Sequence, residues 1–176
     1  MTDPHEWTAP VMRWVNNVSG SARSIYGLIR FFQTGELVIP DWQRERCWTA
    51  EQQVDWCGFV LSGYPLPAIW IREVNNPEAG RFRDELVDGQ QRLTALLAWT
   101  RQEIPARIWD GQEVWCESEM HRAMLDRRAM PCLTLPEKTT DKQVIDLYLS
   151  INSLGTPHTE ADYNRAREWL KNRGEK

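Results

Sequence analysis

"ELVDGQQRLTALLAW" spans residues 85–99, and its first half decides how the rest of the chain is read. Upstream of Asp88, "RFRDELVD" alternates or runs apolar, as a strand does. Downstream, Leu93, Leu96, Leu97 and Thr100 recur at helical spacing and share one face. A strand therefore turns into a helix across Asp88 and Gly89. Packing accounts for the apolar residues on either side. It does not account for Asp88, Gly89, Gln90, Gln91 and Arg92 at the junction.

Working outward, "AIWIREV" reads as a strand, "NNPEAG" as a turn and "RFRDELVD" as the returning strand, a β-hairpin over 68–88. Before it, "GYPLP" is an extended connection, because each proline fixes its own backbone and biases its predecessor. Thr49 followed by Gln52 is a capping-box signature, opening a helix that runs to about Ser62 and stops at Gly63. "DWQRERCW" has no period and reads as a loop, while "ELVIP" reads as a short strand ended by Pro40. Ile25, Leu28, Ile29 and Phe32 form the face of a helix closed by Gly35. Residues 1–20 show no period and read as a loose arm.

On the other side, "IPARIW" and "EVWCES" read as two strands joined at Asp110-Gly111, a strong hairpin dipeptide. "SEMHRAMLDRRAM" is a short polar helix and "PCLTLP" a strand. Val144, Leu147, Tyr148, Ile151 and Leu154 line one face of a helix closed by Gly155. A last amphipathic helix follows Thr159. No repeat or internal boundary appears, so residues 1–176 read as one domain of α/β or α+β class, a small mixed sheet flanked by helices.

Composition narrows the partners. The chain is 41% hydrophobic and 26% charged, which is globular. A net charge of −4 argues against a broad basic surface for nucleic acid but leaves room for a local groove. Cysteines at 47, 57, 116 and 132 and histidines at 5, 121 and 158 lack the spacing of a zinc site. No run is long and apolar enough to span a membrane, and "MTDPHEWTAP" is too polar for a signal peptide. These features predict a cytoplasmic protein with reduced thiols. Most of the ten tryptophans are expected in packing, with one or two free to stack on a base.

A helix that starts at the end of a strand presents backbone N–H groups and the positive end of its dipole. Gly89 admits a ligand close to the backbone, and Arg92 adds a planar fork for phosphate oxygens. Asp88 would hold Mg²⁺ or accept a proton. A plain turn with solvated Gln and Arg would use the same letters. Gln43 and Arg44 repeat the Gln-Arg pair after another strand. Asn152, at the end of an apolar helix, is a third candidate for the same pocket, or a well-capped corner.

Four motifs in order, Ile-Pro-x-x-Gln-Arg from Ile39, Gly-Tyr-Pro-x-Pro from Gly63, Asp-Gly-Gln-Gln-Arg from Asp88 and Ile-Asn-x-x-Gly-Thr-Pro from Ile151, cover roughly residues 24–165. Together they resemble the N-terminal domain of GmrSD restriction endonucleases, which is similar to the ParB/sulfiredoxin superfamily. The resemblance implies a ParB-like fold and a pocket for NTP and Mg²⁺. It puts Asp88, Gly89, Gln90, Gln91 and Arg92 in the nucleotide-binding and hydrolysis motif, with Gln43 and Arg44 as the upstream pair. It implies a role in restriction systems that act on modified phage DNA. Arg46 stands where the family commonly has tyrosine, so no role is carried over there. The scattered histidines offer no His-Asn-His nuclease, and DNA cleavage by these residues alone is not expected. Three activities remain open: NTP hydrolysis with Asp88, Arg92 and Arg44 as catalytic residues; phosphoryl transfer to a small molecule or a modified base; and a non-catalytic module that senses DNA or engages a restriction or defence protein.

Overall fold

The computed structural model describes residues 18–45, 47–76, 81–136, 138–151 and 159–172. Strand β1 (Ser19–Ser24) leads into helix α1 (Ile25–Thr34), and β2 (Leu37–Val38) precedes α2 (Ala50–Leu61). The hairpin β3 (Ile69–Asn76) and β4 (Arg81–Asp88) leads into α3 (Gln90–Thr100). Two short strands, β5 (Ala106–Arg107) and β6 (Glu113–Val114), are followed by α4 (Glu119–Arg127), β7 (Ala129–Leu135), α5 (Asp141–Ile151) and α6 (Glu160–Asn172).

Five strands form one mixed sheet in the order β1-β7-β3-β4-β2. β3 and β4 are antiparallel, β2 runs parallel to β4, β7 runs parallel to β3, and β1 is antiparallel to β7. This is the mixed α/β arrangement that the strand-to-helix junction predicts. Side chains alternate across the sheet. Ile69 and Ile71 join a core with α1, α2, α3 and α4, whereas Trp70 packs into a second core with Trp42, Val87 and the apolar face of α5. The sheet is thus covered on both sides, α1 to α4 on one face and α5 with α6 on the other.

The signals at the helix ends act as read. Thr49 and Gln52 form both bonds of the capping box, and Gly35 closes α1 in the left-handed region at φ 76°. α3 is buried beyond its predicted face, since Thr94, Ala95 and Trp99 are buried along with Leu93, Leu96 and Leu97. Three expectations change. Ser19 and Gly20 belong to β1 and not to a loose arm, while residues 1–17 lie outside the described residues. β5 and β6 keep the hairpin at Gly111 (φ 82°) but shrink to two residues each. β7 begins at Ala129, two residues before the predicted strand. The turn residues 77–80, and Leu154 and Gly155 at the predicted close of α5, lie outside the described residues.

Candidate functional site

β2 and β4 run parallel, so both release their chains at the same end of the sheet. Ligands of open α/β sheets bind outside the carboxyl ends of strands. Here that end holds a cleft of about 370 Å³ lined by residues from both connections and from α5. The connection after β2 brings Gln43, Arg44 and Trp48, the turn after β4 brings Asp88 to Arg92, and α5 brings Tyr148 and Ile151. The volume falls within the range of small-molecule sites.

The end of β4 is shaped by a bulge. Trp70 pairs with Asp88 and Ile71 with Leu86, so Val87 is an extra residue on β4. Bulges bend a strand and re-aim the side chains beside it. Val87 is driven into the second core, and Asp88 is left at the rim of the cleft. Gly89 then starts α3 at φ 116°, and a Cβ there would lie 2.5 Å from the Ile69 side chain. Both the backbone angle and the space require glycine. No side chain caps this helix start. The first helical bond is Leu93 N–H to the Gly89 carbonyl at 3.0 Å, so the N–H groups of Gln90, Gln91 and Arg92 have no partner within the helix.

The polar side chains divide into those that build the cleft and those left to act in it. Gln43 is buried, and its amide nitrogen donates to the carbonyls of Leu86 and, at 3.1 Å, Val87. It occupies the β4 edge that β2, only two residues long, does not reach. Its own carbonyl accepts from Arg165 of α6 at 3.3 Å. The Gln91 side-chain oxygen accepts the N–H groups of Cys47 and Trp48 at 3.2 and 3.3 Å, fastening the β2 connection to α3. Arg92 donates to the carbonyls of Pro67 and Ala68 at 3.0 and 2.9 Å and to Asp88 at 2.6 Å. Its guanidinium therefore holds the "GYPLP" connection and the end of β4 together. Asp88 keeps one carboxylate oxygen without a hydrogen bond among the described residues, and the Gln90 amide likewise has none.

Arg44 approaches from the opposite wall, with its backbone N–H on the Tyr148 hydroxyl at 3.2 Å. Burial pushes the Tyr148 hydroxyl above its ordinary pKa of 10, with the Arg44 N–H and charge pulling partly back. Tyr148 thus remains a neutral hydroxyl at physiological pH. The sequence puts Tyr148 on an apolar helix face and does not mark it as a site residue; a lone hydroxyl among aliphatic residues is the available signal. Ile151, on the same apolar face, and Trp48, in the loop after β2, are likewise not marked as site residues by the sequence. Of the predicted residues, Gln43, Arg44, Asp88, Gly89, Gln90, Gln91 and Arg92 converge on the cleft, and Asn152 lies outside the described residues.

Among the described residues no three His, Cys, Asp or Glu side chains come together. A Mg²⁺ ion at Asp88 would take its other ligands from phosphate oxygens and water, a common mode for this cation.

The fold and cleft define a mixed α/β domain with a polar site at the shared carboxyl end of two parallel strands. The chain belongs to the family of the GmrSD restriction endonuclease N-terminal domain, whose sequence model matches residues 25–167. That membership ties it to DNA restriction and modification. No curated protein and no solved structure matches the chain. No helix among the described residues is long and apolar enough to cross a membrane.

Proposed function

We propose that this domain binds a nucleoside triphosphate with Mg²⁺ in the cleft and hydrolyses it in a DNA restriction or modification system. One observation carries the reading: the uncapped first turn of α3 opens onto the same cleft as Arg44 and Asp88. Phosphate oxygens would accept from the N–H groups of Gln90, Gln91 and Arg92, where the helix dipole favours negative charge. Arg44 would offset charge that develops during transfer. The free oxygen of Asp88 would orient the attacking water, while Arg92 keeps that carboxylate aimed. Mg²⁺, when bound, would neutralise phosphate charge beside Asp88.

The test measures binding and released phosphate for ATP, GTP, CTP and UTP with Mg²⁺. Asp88→Asn is expected to weaken binding less than turnover, which should fall by about a hundredfold or more. Arg44→Ala should weaken binding and turnover together. Turnover that appears only with an added hydroxyl acceptor would reassign the site to phosphoryl transfer. Tight binding with no turnover would make the domain a nucleotide-sensing module. A folded wild type that binds no nucleotide sinks the proposal.

A further inference from the structure

The wall of the cleft beside α3 is an indole, and its surroundings hold it still. The Trp48 backbone N–H donates to the Gln91 side-chain oxygen at 3.3 Å, and its backbone carbonyl accepts from Gln53 at 3.3 Å. The Trp48 ring meets Trp56 edge to face at 6.1 Å between centroids. Trp56 stacks on Phe59 at 5.7 Å, and Phe59 stacks on Tyr64 at 5.3 Å. Trp56 also donates its indole N–H to the Arg92 carbonyl at 3.1 Å. Gln91 and Arg92 belong to the first turn of α3, so two separate bonds fix the aromatic wall relative to its exposed N–H groups. Trp48 is half-buried and lines the cleft.

We propose that Trp48 is the surface on which the base of the bound nucleotide stacks. The inference rests on the nucleotide reading above and adds the base subsite to it. Every base has a π-face, so a stacking wall is tolerant of base identity. The wall is also pre-organised, so little side-chain freedom is lost when a base settles on it.

Isothermal titration of the whole chain with Mg²⁺ and ATP, GTP, CTP, UTP or inorganic tripolyphosphate tests this, using wild type, Trp48→Ala and Trp48→Phe. Circular dichroism melts confirm that each variant is folded. Each of the four nucleotides should bind about tenfold or more tighter than tripolyphosphate. Trp48→Ala should bring the nucleotides down to the tripolyphosphate value and leave tripolyphosphate unchanged, while Trp48→Phe keeps most of the difference. Nucleotides that bind no tighter than tripolyphosphate overturn the stacking wall and leave the phosphate site standing. So does Trp48→Ala weakening tripolyphosphate as much as nucleotides. A wild type that binds neither tripolyphosphate nor nucleotide overturns the nucleotide reading and this inference together.

Discussion

Asp146 is a buried carboxylate with an unequal pair of oxygens. One accepts from Lys142 at 3.3 Å, and the other is buried with no hydrogen-bond partner among the described residues. Burial holds the carboxyl above its ordinary value of 3.8, and the Lys142 charge pulls it partly back. The folded protein therefore holds this proton more tightly than the unfolded chain does. Stability should fall as pH rises from 3.8 through the folded-state pKa, because the native carboxylate must charge in a poor site. Asp146→Asn lacks that loss. Urea midpoints from about pH 3 to about pH 7 should show the variant gaining on wild type as pH rises through this window. A constant difference, or one that shrinks, would mean that the second oxygen is well solvated. At this scale the candidate site was only half legible. Gly89 could be read, because a strand-to-helix junction beside a ligand demands a residue without Cβ. Arg92 and Gln43 could be read as present but not as occupied. Their partners are carbonyls 24, 25, 43 and 44 residues away, and no spacing rule links side chains to such distant backbone.

Elements with a strong period were legible because one rule governs each. α1 and α5 bury most of the stripes their spacing gives, with Phe32 and Ile151 half-buried, and α2 begins at its capping box. β1 was not legible, since "SGSARS" has no apolar alternation and its first four residues are exposed. It exists because β7 offers a backbone edge along the full register from Ser19–Thr134 to Ser24–Ala129. Gly58, in the middle of α2, is a second case. Glycine weakens a helix interior, so its presence needs a tertiary reason. α2 packs backbone to backbone on β5, and a Cβ at 58 would lie 1.6 Å from the Arg107 carbonyl oxygen. Neither group is a flexible side chain, so the β5–β6 hairpin would have to lift away. Gly58→Ala should cost toward the upper end of about 1–3 kcal/mol in urea unfolding. Hydrogen exchange should speed up at Ile108 and Gly111, whose N–H groups close the hairpin. Unchanged exchange there would mean that α2 itself yields.

At the scale of the whole molecule, the cleft lies at the end of a sheet that separates two helical layers. α3 supplies one wall from the first layer, and α5 supplies Tyr148 and Ile151 from the second. A buried charge cluster ties the second layer to the sheet. Arg72 of β3 reaches Glu85 of β4 at 2.5 Å and Asp141 of α5 at 2.5 Å, with its side chain 8% exposed. Burial opposes its charge, but the two carboxylates together outweigh that and hold the guanidinium above its ordinary pKa. Removing the arginine alone leaves two carboxylates in a poorly solvated site. Such losses are severe, whereas replacing a whole buried cluster by neutral groups is often tolerated. Arg72→Ala should therefore cost about 3–5 kcal/mol, and a triple variant Arg72→Met, Glu85→Gln, Asp141→Asn should recover most of it. α5 carries Tyr148, whose hydroxyl accepts from Arg44 across the cleft. If the cleft binds nucleotide as proposed, loosening the start of α5 should then also weaken that binding in Arg72→Ala, at temperatures where the variant is still folded. Urea unfolding and titration of Mg²⁺ nucleotide on the same samples separate the two effects. A loss below about 1 kcal/mol, the scale of an exposed ion pair, would show that the apolar face of α5 holds the layer unaided. A large loss with unaltered binding would confine the cluster to stability and leave the cleft wall fixed by Trp42, which packs edge-on against Tyr148 at 5.0 Å.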